Sequence, residues 1–211
     1  LAPSVMAQPE PVGPPPSASG WRAVTVAQGI NHPWGIAWLR DGRPIVTSKQ
    51  GTLHVLTNKR WQQIPIDGLP NVFTGGQGGL MDIALHPNYR RSGLIYMTLS
   101  TGTESQNRTA LIRGTFNGKR VRGVQTLFQV HPAKSGGQHF GSRILWLPDG
   151  TLLMSIGDGG NPPLLIGDRL AREQAQNLST HLGSIVRLTD TGRPAPNNPF
   201  VGRSGARPEI W

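Results

Sequence analysis

Three glycine-rich loops carry the residues best suited to chemistry. His139 sits in Gly136-Gly137-Gln138-His139-Phe140-Gly141. An imidazole titrates near neutral pH, so a histidine in a glycine-rich loop is a candidate general base. Asp158 lies in Ile156-Gly157-Asp158-Gly159-Gly160. A carboxylate there can accept a hydrogen bond from the imidazole and raise its basicity, the pairing of a base with its orienting group. Gln77 is the one long side chain in Gly75-Gly76-Gln77-Gly78-Gly79. Its amide donates and accepts at once, and the flanking glycines let backbone come close to a ligand. Each loop also has a plain reading, as a surface loop or an Asp-Gly turn. Their matching places in a repeat favour the chemical one.

Other chemistries are excluded or weakened by what the chain lacks. There is no cysteine, hence no disulfide, thiolate metal site or cysteine nucleophile. No two histidines have zinc spacing, and no Gly-x-Ser-x-Gly elbow is present. No Lys-Ser/Thr follows the Gln77 loop, so it is not a phosphate loop. The carboxylates of a calcium cage are missing around Asp158. His32 and His86 lie beside prolines and read as structural, while His54, His131 and His181 have no evident partner.

The loops must be held by short strands. WGIAWLRDGRPIVTS (34–48) reads as strand, Asp-Gly turn, strand, and GSRILWLPDGTLLMSIGD (141–158) repeats it. GGLMDIALHPNYRRSGLIYMTLS (78–100) is a longer version turning at His86-Pro87-Asn88. Further strands are expected at 51–57, 61–66, 109–116, 124–130 and Gly183–Leu188. A four-stranded unit repeating about every 50 residues is the pattern of a β-propeller blade, so the chain holds three to four blades. The 28 Gly and 19 Pro among 211 residues fit such a turn-rich, all-β chain. In this repeat the Gln77 and His139 loops enter equivalent inner strands. The hairpin through 144–156 returns Asp158 beside His139. Glu209-Ile210-Trp211 reads as the start of a strand, so we expect the N-terminal portion of a longer protein that folds poorly alone.

The first twenty residues, LAPSVMAQPEPVGPPPSASG, hold too little apolar surface to order themselves. Val5-Met6-Ala7 before Gln8 matches the small-residue pattern of a signal-peptide cleavage site. We read 1–20 as a disordered Pro-rich export or linker segment and 21–211 as the propeller part. The expected location is periplasmic or secreted. No apolar run is long enough to span a membrane. The net charge of +10 points to an anionic partner. Its densest run, Arg108, Arg113, Lys119, Arg120, Arg122, Lys134 and Arg143, is not interleaved with aromatics. It reads as a solvated face, not a nucleic-acid platform.

Together these pieces resemble the pyrroloquinoline-quinone (PQQ)-dependent soluble sugar dehydrogenases of the glucose/sorbosone dehydrogenase family, in particular the aldose sugar dehydrogenase branch. The resemblance rests on HPWGIAWL (32–39), GGQGGLMDIALHP (75–87), QHFGSRI (138–144), IGD (156–158), LGSIVRLTDTGRPAPNNPF (182–200) and SGARPEIW (204–211), in this order. It implies a six-bladed propeller that binds PQQ and Ca2+ and oxidises aldoses at C1 to lactones, with hydride passing to the quinone. It implies His139 as the base, Asp158 as its orienting acid and Gln77 near the reacting carbon. Some relatives place Asp before the base, where this chain has Gln138, so Gln138 stands as a substrate or cofactor contact only by position. The calcium ligands and an Arg-Asn-Pro motif that polarises the quinone are expected beyond Trp211, leaving no metal ligand in this chain. The implied partners are an aldose and an external electron acceptor, with a homodimer left open and no nucleic acid or membrane insertion. The chain alone is then expected to bind PQQ weakly and to lack useful turnover. Two other readings compete: an exported non-enzymatic propeller that binds protein or glycan, and a calcium-dependent lactonase-like hydrolase.

Overall fold

A computed structural model describes residues 19–22 and 24–211; the export reading of the N-terminal segment falls almost wholly outside them. The described residues fold into three larger antiparallel sheets and one two-stranded sheet. The first contains β1 (Pro33–Trp38), β2 (Pro44–Ser48), β3 (Thr52–Thr57) and β4 (Arg60–Ile64), paired in that order. The second contains β5 (Leu80–Leu85), a single helical turn α1 (Tyr89–Ser92), β6 (Leu94–Gly102), β7 (Asn107–Phe116) and β8 (Val121–Gln129). In the third, β9 (Ile144–Trp146) pairs with β10 (Leu152–Ser155), and β10 with β13 (Ile185–Leu188). A small hairpin, β11 (Leu165–Ile166) and β12 (Arg169–Leu170), is followed by a 3-10 turn at Ala171–Gln176 and interrupts this sheet. Bonds from Arg187 N–H to Glu209 O (2.8 Å) and from Trp211 N–H to Ile185 O (2.9 Å) set the last residues along the outer side of β13. The strand start expected at 209–211 is this edge contact.

The turns follow from their residues. Asp41 Oδ1 accepts the Arg43 N–H at 3.1 Å and Asp149 Oδ1 the Thr151 N–H at 3.0 Å. These are Asx-type turns, and the glycine after each aspartate takes the positive φ that closes them. The turn expected at His86-Pro87-Asn88 is longer, because α1 and Gly93 (φ +65°) carry the chain round.

The inner strands of the middle sheet are buried on both faces, which explains the apolar runs of β5 and β6, while β8 is largely exposed. Ile95, Met97 and Leu99 of β6 pack with Leu39, Ile45, Leu53 and Val55 of the first sheet. Tyr96 points the other way, into a cluster with Ile144, Leu152, Met154 and Val186 of the third. Alternate residues of one strand thus fill two separate cores, as the two-residue side-chain period requires.

The inner strands β1, β5 and β9 repeat one device. Gly35 N–H donates to Thr47 Oγ1 (2.9 Å), Asp82 N–H to Thr98 Oγ1 (2.9 Å) and Arg143 N–H to Ser155 Oγ (2.9 Å). In each sheet a hydroxyl of the second strand takes an N–H of the inner strand or, at Arg143, of the residue just before it. In the first two sheets this occurs where the ladder register shifts, so the hydroxyl replaces a lost ladder bond. A Cβ at Gly35 would stand 2.7 Å from the Met81 carbonyl, so β1 lies against β5 only because this residue has none.

Candidate active site

The glycine loops of Gln77 and His139, expected at equivalent positions of two blades, meet at one rim. Gln77 N–H donates to Gly137 O (2.6 Å), and His139 N–H donates to Gln77 Oε1 (2.9 Å). A Cβ on Gly76 would overlap the Gly137 carbonyl, and one on Gly157 would overlap the His139 carbonyl. These glycines are what let three loops crowd around one imidazole. His139 itself has φ +50°, a left-handed backbone uncommon for a residue with a side chain. The surrounding bonds hold it there, a form of local strain that concentrates at functional sites.

The His139 ring is oriented by Asp158. Its Nδ1–H donates to Asp158 Oδ1 at 2.6 Å, and both side chains are about one-third exposed. The Gly160 N–H donates to the same Oδ1 at 3.3 Å. With its proton on Nδ1, the neutral ring presents the Nε2 lone pair, which has no hydrogen bond among the described residues. The Gln77 Nε2 also has no partner there, while its Oε1 accepts the His139 N–H. Gln138 turns away, with its Oε1 accepting the Asn161 N–H at 3.2 Å, and lines a neighbouring cleft with Glu104 and Leu164.

Asp82 on β5 fixes where β9 begins. Its buried carboxylate accepts the Ile144 N–H (2.6 Å) and an Arg143 N–H (3.1 Å). Burial raises its pKa, while those two donors oppose the rise. Because β9 follows the His139 loop directly, this bond across sheets sets the loop's exit.

Sequence reasoning missed several neighbours. Lys49 donates its Nζ to the Gly76 carbonyl. Lys134, expected on a solvated face, is instead buried, only 5% exposed. His181 does have partners: its Nδ1 accepts the His131 N–H (3.0 Å), and its Nε2 lies 3.2 Å from Glu209 Oε2. That hydrogen bond holds the Glu209 carboxyl below its usual range. Among the described residues, no group of three or more histidines and carboxylates is placed to hold a metal ion. No helix among them is long and apolar enough to cross a membrane.

Residues 30–211 match the family profile described as Glucose / Sorbosone dehydrogenase. The chain is 44% identical over 198 residues to slr1608 of Synechocystis sp., described as uncharacterized, covering 90% of this chain and 48% of that protein. It is 33% identical to the aldose sugar dehydrogenase YliI of Escherichia coli, covering 86% and 47%. A solved structure, the PQQ-bound form of an aldose sugar dehydrogenase from Streptomyces coelicolor, superposes with a TM-score of 0.69 at 29% identity, covering 89% of this chain and 52% of that one. The human Hedgehog-interacting protein is 27% identical, covering 88% of this chain and 29% of its own length. The chain spans about half the length, or less, of the curated relatives it matches. The three sheets are therefore blades of a propeller of the sugar dehydrogenase kind, and the chain belongs to the glucose/sorbosone dehydrogenase family.

Proposed function

We propose that this chain carries the proton-abstraction half of a PQQ-dependent site that oxidises aldoses at C1. The supporting observation is the unpartnered His139 Nε2, on a ring oriented by the Asp158 contact at Nδ1 and on a backbone whose N–H is held by Gln77 Oε1. The chemistry of this donor set suits the reaction. His139 Nε2 takes the proton of the C1 hydroxyl, and Asp158 stabilises the imidazolium that results. Gln77 Nε2 donates to an oxygen beside the reacting carbon and orients it. PQQ, when bound, supplies the two-electron acceptor for the C1 hydride, and loss of that hydride together with the proton leaves the lactone. Lys49, at the same rim, is a cation suited to a polycarboxylate cofactor. Among the described residues no group is placed to hold Ca2+, and the chain spans about half the length of these relatives, so the chain alone is expected to be inactive. An external carrier takes the electrons. The Pro-rich 1–20 segment favours a periplasmic or secreted location.

The test is dye-coupled oxidation of a panel of aldoses by a chain extended to the length of its relatives, with PQQ and Ca2+. Activity that requires PQQ and falls by about 10² or more in His139→Ala and Asp158→Asn is the expected result. A folded, extended protein that neither takes up PQQ nor oxidises any aldose overturns the reading. It would favour a binding propeller, a reading to which the similarity with the Hedgehog-interacting protein lends weight.

A further inference from the structure

Beneath the His139 loop lies a buried ammonium that the proton-transfer chemistry does not use. Lys134 Nζ donates to Asn107 Oδ1 (3.2 Å) and to the Gly136 carbonyl (3.1 Å). It stands 4.0 Å from the centre of the Phe140 ring, within cation–π range. Asn107, itself fully buried, sends its Nδ2 to the same Gly136 carbonyl (2.9 Å) and to Thr103 O (2.8 Å). The backbones of Asn107 and Lys134 exchange bonds of 2.7 and 2.8 Å, which anchors the lysine to the start of β7. Its stem runs under Gly159, where a Cβ would stand 3.4 Å from Lys134 Cδ. The lysine therefore touches the start of the His139 loop, the residue after His139 and the residue after Asp158.

Burying a cation is costly unless its bonds repay it. Here they go to no carboxylate: among the described residues Lys134 forms no ion pair. They go to the loop that holds the candidate base. An apolar side chain of the same length would fill the space without the desolvation cost, but would leave the Gly136 carbonyl one donor short and the Phe140 face without a cation. We propose that Lys134 is a positioning residue for His139, pinning the Gly136 carbonyl and the Phe140 ring so that the imidazole keeps its left-handed seat against Asp158. The activity part of this inference rests on the dehydrogenase reading; the structural part does not.

Hydrogen exchange tests it in the full chain. In wild type the amides of Gln77, bonded to Gly137 O, and His139, bonded to Gln77 Oε1, should be protected. Lys134→Met should speed exchange in 74–79 and 135–141 by about tenfold while the β6–β7 ladder stays unchanged, and Lys134→Arg, which keeps the cation, should stay near wild type. In the PQQ-loaded protein the same Met variant should lower kcat about tenfold with KM for the sugar within about twofold, as misplacement of a base does. Unchanged loop exchange in Lys134→Met overturns the proposal. Faster exchange that includes β6 and β7 overturns it too, by making Lys134 a general core residue. Should the Met variant not fold, Lys134→Gln, a neutral donor, carries the same comparison. A wild-type protein without aldose oxidation refutes the dehydrogenase reading alone and leaves the exchange result standing.

Discussion

A buried ammonium leaves a signature in the pH dependence of stability, and Lys134 is the residue on which to look for it. Burial pulls its pKa down to about 8, against the opposing charge of Glu104; its other neighbours, Asn107, Gly136, Phe140 and Gly159, are uncharged. The unfolded chain keeps its proton up to about 10.4. Below pH 8 both states are protonated and the folded state bears the whole cost of the buried charge. Between about pH 8 and 10.4 the unfolded state binds more protons, so stability rises with pH. Each unit of that difference is worth about 1.4 kcal/mol. Denaturant titrations of wild type and Lys134→Met at pH 7 and pH 10 isolate the effect, because other groups cancel in the difference. Wild type should gain at least about 1 kcal/mol on the variant between the two pH values. A constant difference would mean that the ammonium is solvated. The same residue marks a limit of sequence reading: in a run of scattered cations, nothing local distinguishes one that folds inward. His139, Asp158 and Gln77 were legible because glycines on both sides and a repeated place in the blade marked them.

At the level of the strand, the shared hydroxyl device explains how the inner strands hold the rim loops without a regular ladder. Thr47 and Thr98 are fully buried, whereas the bond from Arg143 to Ser155 is exposed. Replacing a buried hydroxyl by a methyl leaves an N–H without a partner, which costs about 1–3 kcal/mol. Thr98→Val should therefore destabilise by that amount through the Asp82 N–H, and Ser155→Ala by much less, because water can replace the hydroxyl. Equal losses in urea unfolding would show that the two bonds do not differ as their burial implies. Most strands were legible from Asp-Gly turns and alternating apolar residues, since a turn and a pleat are local properties. The β11–β12 hairpin was not: two-residue strands carry no periodicity, and LLIGDRL (164–170) reads as well as loop. Nor was the Asp82–Arg143 link, because a contact between sheets is set by tertiary packing and not by neighbours in sequence.

For the molecule as a whole, the middle blade packs against a neighbour on each side and the outer two on one side only. Along β1, Trp34, Ile36 and Trp38 are 39%, 47% and 62% exposed, and with Val26, Leu56 and Trp61 they line an apolar groove of about 510 Å³. At the opposite end Leu145, Ile185 and Trp211 are about half exposed. Contiguous apolar faces of this kind are uncommon on monomeric soluble proteins and mark surfaces that another element covers. The relatives are about twice as long as this chain, which supplies chain enough for the cover. The groove lies along β1, at the outer end of the first sheet. We predict that residues 1–211 alone bind a hydrophobic dye such as ANS and self-associate in a concentration-dependent way. A chain extended to the length of its relatives should do neither. Sedimentation and dye titration of the two chains side by side decide it. A monomeric short chain that ignores the dye would mean that these faces are covered from within, with the tryptophans repacked. The same short chain should then hold His139 and Asp158 as firmly as the long one, which exchange at 135–141 would report.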